Sequence, residues 1–591
     1  MCGIVAISSN TDKLPGLDAF SIAERLIRQF RHRGPDGIGV IGNRAAAMGM
    51  SRLRIRSKAR EPIPFYAEKE KTYVAFNGEI YGHRKGGSRF MPCSTGGPEE
   101  VAMLLSSTSD PISIDGMYAS VASSELFNGL RVTRDPFGIK PLFIRDMDDG
   151  VLVASEIGAL LEGFGPLRLR QNSIAQFLAF GRPIDGLGFI EGISSVPPGG
   201  RLLLENGRIY PEPRMDVTDF QKGDYPNINL KSAIREAVER THVSDQTLGL
   251  AVSGGLDSSI LAYELNQLNV KQLKTISVIV AGSPDGLRSI DQLNLGHGAV
   301  RSWEHSTCTF TPHDFPGGIE NVTRRLGEPT SLTSAPLFGA LSDCAAAQGI
   351  VVMLLGEGAD ELFGGYLSYL MVNDKRSVEE TFNGFFLPPE RLSLLGHLLG
   401  PGHIDECKHY LNLLALSLKE LEPFEAIRRF ELAHSLEPLL RRADILLMTN
   451  SIEGRTPYLH GDIARIAFSL RMPDLISDNQ TKLALRSAYR GLLDRNIVEK
   501  SKTAFRIPIT NWFSGPLFGY VSASLVDGSP LLREVGVRVS GIEVLLQAIK
   551  RKNGEACRLA FCLISLLSWI KWMMALGALD LHQVAKDCPK R

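Results

Sequence analysis

Residues 248–268 read LGLAVSGGLDSSILAYELNQL. A short apolar run ends at Val252, Ser253, Gly254 and Gly255 follow, and apolar residues then recur at helical spacing. Glycines after a buried strand let backbone N–H groups close around phosphate, and the N-terminus of the next helix adds positive potential. The stretch predicts strand, phosphate turn and helix, although a generic strand-to-helix turn would share the pattern. It is not a Walker A loop, because the GxxxxGK[ST] spacing is absent. Two more apolar runs, LKTISVIV (273–280) and IVVMLL (350–355), follow with helical spacing between them. Such alternation indicates a parallel α/β sheet. The last run leads into LGEGADELFGGY (355–366), where carboxylates at a strand end suit a metal–phosphate site. From about residue 370 the pattern is mostly helical.

Upstream the pattern differs. KTYVAF (71–76) before Asn77-Gly78, LRVTR (130–134) before Asp135-Pro136-Phe137-Gly138, and GVLVAS (150–155) read as strands broken by turns of a layered antiparallel sheet. A last hairpin, RLLLENGRIY (201–210), precedes the Pro- and Asp-rich stretch PEPRMDVTDFQKGDYPN (211–227), which reads as a linker. The expected domains are 1–212 and 226–591.

Composition excludes several classes. At 591 residues, 44% hydrophobic and 22% charged, the chain is neither collagen-like, coiled-coil nor largely disordered. Lys plus Arg (65) balance Asp plus Glu (65), so no global field recruits nucleic acid or an anionic membrane. The eight cysteines are scattered without a CxxC pair, which argues against a zinc site and fits reduced thiols in a cytoplasmic protein. The apolar stretch 559–579 is interrupted by Lys571 and reads as a buried terminal helix.

Cys2 would carry both a thiol and a free α-amine if Met1 were removed, and the amine can serve as base for its own side chain. A cysteine at position two alone is unremarkable, but RHRGPDG (31–37), SRLRI (51–55) and FNGEIY (76–81) follow in order. With these motifs the sequence resembles the class II glutamine amidotransferases, whose cysteine releases ammonia from glutamine through a thioester. The resemblance makes Cys2 the nucleophile, with Asn77 and Gly78 as the oxyanion hole. It assigns Arg52 to the glutamine α-carboxylate, and Leu53, Ile55, Asn77 and Glu79 to the same substrate. One departure stands out. In TGGPEE (95–100) Pro98 sits where the family carries an Asp for the glutamine amine, which leaves Glu99 as the candidate substitute.

SGGLDSS (253–259) resembles the pyrophosphate loop of the ATP-pyrophosphatases, and its pairing with GEGADE (356–361) resembles the asparagine synthetase family. That likeness assigns Val252, Ser253, Gly254, Gly255, Asp257, Ser258, Val278, Leu355 and Gly356 to ATP, and Asp257 and Asp360 to Mg²⁺. Glu357 would orient or deprotonate the incoming amine, and Lys482, in KLALR (482–486), would meet charge on the phosphates. SIEGRTPYLH (451–460) matches a further family segment, except that His460 replaces an Asp.

The resemblance implies a four-layer αββα N-terminal-nucleophile glutaminase followed by a doubly wound ATP-pyrophosphatase domain with added helices. It implies ATP and Mg²⁺ as cofactors, and glutamine, ATP and a carboxylate acceptor as partners. A homodimer is the candidate assembly, with neither nucleic acid nor membrane involved. His460, and Leu332 near the place of an acceptor-pocket arginine, leave aspartate and a larger carboxylate of a specialised metabolite or glycan both open as acceptor. An amide-forming cyclase of the β-lactam or lasso type and a regulatory role are the rival readings.

Overall fold

The computed structural model describes residues 2–10, 18–56, 62–83, 91–92, 114–161, 167–221, 228–282, 302–372, 376–477, 479–501 and 505–579. Pro98 and Glu99 lie outside them.

The N-terminal half holds two antiparallel sheets. One orders its strands Ile193–Ser195, Phe143–Met147, Gly150–Ala154, Cys2–Ser9, Ala46–Arg52 and Gly37–Gly42. The other orders Arg208–Glu212, Arg201–Glu205, Leu130–Arg134, Ile114–Ser124, Thr72–His83 and Phe65–Ala67, with Met91–Pro92 also paired to Thr72–His83. Strand alternation places the nucleophile candidate. Cys2, Ile4 and Ala6 point into an apolar core shared with Val74, Phe76, Tyr118 and Val132 of the second sheet. Val5 and Ile7 face the other way, into a cluster that includes Ala23, Leu26 and Ile27 of the helix Ala19–Ile27.

The C-terminal half is built on five parallel strands in the order Glu304–Phe310, Leu273–Val280, Leu248–Ala251, Val352–Leu354 and Glu453–Arg455. Chain order therefore reverses between Leu248–Ala251 and Val352–Leu354, and loops leaving such a pair in opposite directions open a crevice at the strand C-termini. Those two loops are SGGLDSS and GEGADE. The helix Gly554–Ala575 has the length and apolar character to cross a membrane, but 72% of its most apolar window is buried in the protein. Trp569 on that helix is fully buried, donates its indole N–H to the Gly327 carbonyl at 2.8 Å, and packs 5.7 Å from the Phe189 ring of the N-terminal half.

Three expectations change. Asn77-Gly78 is no turn: the strand Thr72–His83 runs straight through it. Gly78 adopts φ +141°, and a Cβ there would lie 1.9 Å from the Met117 carbonyl oxygen, so the glycine serves strand packing. IVVMLL shrinks to the strand Val352–Leu354, and the strands Glu304–Phe310 and Glu453–Arg455 join the sheet without an apolar run to announce them. The expectation of reduced thiols also fails. Cys308, on an edge strand, is disulfide-bonded to Cys344, 36 residues on in a helix packed against that strand.

Replacing Trp569 with Ala removes the largest fully buried side chain among the described residues, and its hydrogen bond. The expected loss of unfolding free energy is about 3–5 kcal/mol, read from denaturant midpoints. A loss under about 1 kcal/mol would contradict the tight packing described.

Candidate functional site

Two sites emerge, one in the N-terminal half and one built on the parallel sheet of the C-terminal half. In the first, Cys2 begins a central strand, pairs in register with Arg52, and is 5% exposed. Its backbone N–H donates to Asn77 Oδ1 at 3.0 Å, which orients the amide so that Nδ2 is the free end. That Nδ2 is buried and has no hydrogen-bond partner among the described residues. A buried amide donor left unpaired is costly unless a ligand completes it. Its place beside a thiol is where an oxyanion needs a donor. Burial pushes the Cys2 thiol up, while a backbone hydrogen bond from Leu53 and the charge of Arg52 work against it. Arg52 also lies over the Phe65 ring, 5.1 Å from its centroid.

Cys2, Arg52, Leu53, Asn77 and Gly78 thus come together. Ile55 does not offer its backbone so freely, because its carbonyl accepts from Asp245 N of the C-terminal half at 3.0 Å. Glu79 is held by Arg56 at 3.4 Å and by Arg455 at 3.5 Å. Burial and the charge of Glu453 raise its pKa, and the two arginines oppose them.

The second site occupies the crevice between the reversed strands, a cavity of about 1250 Å³. Val252, Ser253, Gly254, Gly255, Asp257, Ser258, Val278, Leu355, Gly356, Glu357, Asp360 and Lys482 all line it. The glycine turn is locked from within: Ser253 N donates to Ser258 Oγ at 3.2 Å, and Ser277 Oγ ties the Val252 carbonyl to the neighbouring strand at 2.7 Å. Lys482 Nζ lies 2.6 Å from Asp257 Oδ1 and 2.6 Å from Asp360 Oδ1. The lysine is 2% exposed and sits at φ +58°, an unfavourable conformation for a residue with a side chain, of the kind that gathers at functional sites. Gly365 makes room for it, since a Cβ there would meet Asp360 Oδ1 at 2.0 Å and Lys482 Cε at 2.2 Å.

Two carboxylates around one ammonium form a site that magnesium could take over. That ion is usually bound by one or two carboxylates, with waters and substrate phosphates completing its shell. Among the described residues no group of three or more His, Cys, Asp or Glu could form a closed metal cage. Burial next to Asp360 pushes Glu361 up to about 8, and its carboxyl is hydrogen-bonded by the Tyr366 hydroxyl.

Sequence reasoning missed Arg442. Its guanidinium donates to Glu357 Oε1 at 2.5 Å, bonds Ser334 Oγ, and stacks 3.9 Å from the Phe338 centroid. Leu332 does line the cavity. His460 does not: it is buried against Asp115 and lies 3.2 Å from Arg240 Nη1, at the junction of the halves.

An asparagine synthase family model matches residues 229–571, more than half of the chain, and a glutamine amidotransferase domain model matches residues 1–213. The chain belongs to the asparagine synthase family. Asparagine synthetase [glutamine-hydrolyzing] 1 of Bacillus subtilis is 24% identical, covering 88% of this chain and 89% of that one. Asparagine synthetase B [glutamine-hydrolyzing] of Escherichia coli is 29% identical, covering 64% of this chain and 68% of its own.

Removing one oxyanion donor typically lowers kcat about 10²–10³-fold. Asn77→Ala is therefore expected to reduce glutamate formation from glutamine by that factor. A variant retaining near-normal turnover would remove Asn77 from the oxyanion hole.

Proposed function

We propose that this protein is an ATP-dependent, glutamine-hydrolysing amidotransferase that converts a carboxylate to an amide. The observation that carries this reading is the Asp257–Lys482–Asp360 arrangement at the sheet's reversal point, with the Glu357–Arg442 pair in the same cavity. A four-layer glutaminase over residues 1–212 and a doubly wound ATP-pyrophosphatase domain over 226–591 are the corresponding fold reading.

In the glutaminase site the Cys2 sulfur attacks the side-chain amide carbon of glutamine. Ammonia leaves, and water releases glutamate from the thioester. The α-amine exposed by loss of Met1 takes the thiol proton. Asn77 Nδ2 and the Gly78 N–H receive the negative oxygen, and Arg52 holds the α-carboxylate. Glu99 is the remaining candidate for the glutamine ammonium, since Glu79 is already engaged by two arginines.

In the synthetase site a carboxylate oxygen of the acceptor attacks the α-phosphorus of ATP, and pyrophosphate leaves. Ammonia, delivered internally from the glutaminase site, then attacks the acyl carbon, and AMP departs with its electron pair. Val252, Val278, Leu355 and Gly356 surround the nucleotide, and the glycine turn holds its phosphates. Magnesium, when held by Asp257 and Asp360, supplies charge compensation to the phosphate oxygens. Lys482 is placed to follow the charge onto the leaving pyrophosphate. Glu357, oriented by Arg442, takes a proton from the attacking amine. A carboxylate larger than aspartate remains the second reading of the acceptor, favoured by Leu332 in the wall of a cavity of about 1250 Å³. ATP/pyrophosphate exchange over a panel of carboxylic acids tests the whole proposal, and exchange with no acid present would favour a regulatory role.

Cys2→Ala should abolish the glutamine-dependent product and leave synthesis from ammonium salts intact, with product amide measured in both assays. Parallel loss of both would refute two separate sites.

Asp257→Ala and Asp360→Ala should each stop pyrophosphate release with any acid while glutamate formation continues. Loss of such a carboxylate removes several kcal/mol of charge stabilisation in the transition state. Normal pyrophosphate release from either variant would show the acidic pair to be structural.

A further inference from the structure

The helix Leu436–Met448 touches both sites. Residues two apart on a helix point about 200° apart, to nearly opposite sides. Arg442 therefore reaches Glu357 in the synthetase cavity, while Asp444 points back into the N-terminal half. There Asp444 Oδ1 accepts from Arg33 Nη2 at 2.6 Å, and its other oxygen accepts from Lys140 Nζ at 3.2 Å. Arg33 and Lys140 are both fully buried, and Asp444 is 3% exposed. The remaining donors of Arg33 are directed as well: Nη1 goes to Glu156 Oε1 at 2.8 Å, and Nε goes to the carbonyl oxygen of Cys2 at 3.2 Å.

From this arrangement we infer that Asp444 is a positioning residue for the glutaminase nucleophile, supplied across the junction by the synthetase half. The inference rests on the proposed role of Cys2. A guanidinium is a rigid planar fork, so fixing its two terminal nitrogens fixes where Nε points. Without Asp444, Glu156 is the one carboxylate among the described residues left to Arg33, and it is already shared with His32 at 3.0 Å. Lys140 then loses its direct carboxylate partner and keeps the Gly454 carbonyl at 3.3 Å, and a buried cation so deprived forces rearrangement. The Cys2 carbonyl is released, and Sγ drifts from the Asn77 and Gly78 donors. A displacement of about 1 Å at a reacting atom costs about a hundredfold in rate. Glutamine hydrolysis thus depends on docking of the two halves, and the helix that secures it also holds Glu357.

The experiment uses the full chain, assayed for glutamate formation without ATP and for the rate at which iodoacetamide alkylates Cys2. The variants are Asp444→Asn, Asp444→Glu, the charge-balanced double Asp444→Asn/Lys140→Met, and Glu437→Gln. The last breaks another ion pair of the same helix, to Arg134 at 3.1 Å, without touching Arg33. Asp444→Asn and the double variant are expected to lose about ten- to hundredfold in kcat, with KM within about threefold, and to change the alkylation rate. Asp444→Glu should recover much of the loss, and Glu437→Gln should keep kcat within about twofold while lowering the unfolding temperature. Should Asp444→Asn fail to fold, the double variant carries the test, because it buries no excess charge. Wild-type kcat and alkylation in the double variant would overturn the inference, as would an equal loss from Glu437→Gln. If even the wild-type protein forms no glutamate, the role of Cys2 falls. An alkylation rate indifferent to Asp444 would then dispose of the positioning claim as well.

Discussion

Three fully buried cations of the N-terminal half, Arg33, Arg134 and Lys140, find carboxylate partners on a single helix of the C-terminal half. A buried charge without its counter-ion is among the most destabilising features a fold can carry. The two halves are therefore not modules joined by a linker but one electrostatic unit. Glu79, Arg455 and Glu453 extend the same junction, and the Arg455 guanidinium also donates to the Thr241 and Val243 carbonyls at 2.7 Å each. The carbonyl of Cys2 is tied to this contact through Arg33, whose guanidinium it shares with Asp444.

The two loops of the crevice were readable because each is local. A glycine turn between an apolar strand and a helix is written in consecutive residues, and residues 253–259 and 356–361 each hold one loop of the crevice. Asn77 and Gly78 stand out as candidate oxyanion donors only through family likeness. Read as a dipeptide they signal a turn, yet the structure has an uninterrupted strand there. What overrides local preference is the neighbouring strand, whose Met117 carbonyl leaves no room for a side chain at position 78.

Arg442, Asp444 and Arg33 could not have been singled out for their roles by local pattern. Charged residues on an amphipathic helix usually face solvent. Nothing in residues 436–448 separates from such residues the two that bond Glu357 and Arg33. The bond between Arg33 and Asp444 spans 411 positions. The Cys308–Cys344 bond is invisible for a similar reason, since its partners meet only where an edge strand packs against a helix. Pairing at long range is a property of the topology, and single-sequence patterns hold little of it.

The short strand Glu453–Arg455 closes one end of the parallel sheet, and all three of its residues are buried. An open sheet edge is a template for unwanted strand addition, which proteins suppress with charge, brevity or a cover. At the opposite edge Glu304–Phe310 relies on its own polar side chains, with Glu304, Thr307 and Thr309 exposed. The Glu453–Arg455 edge is brief and is covered, because Arg455 meets Glu79 of the glutaminase half. The N-terminal half is thus an edge guard as well as an ammonia source. A C-terminal half expressed alone would present a bare strand beside stranded charges, and self-association rather than simple inactivity would be its characteristic failure.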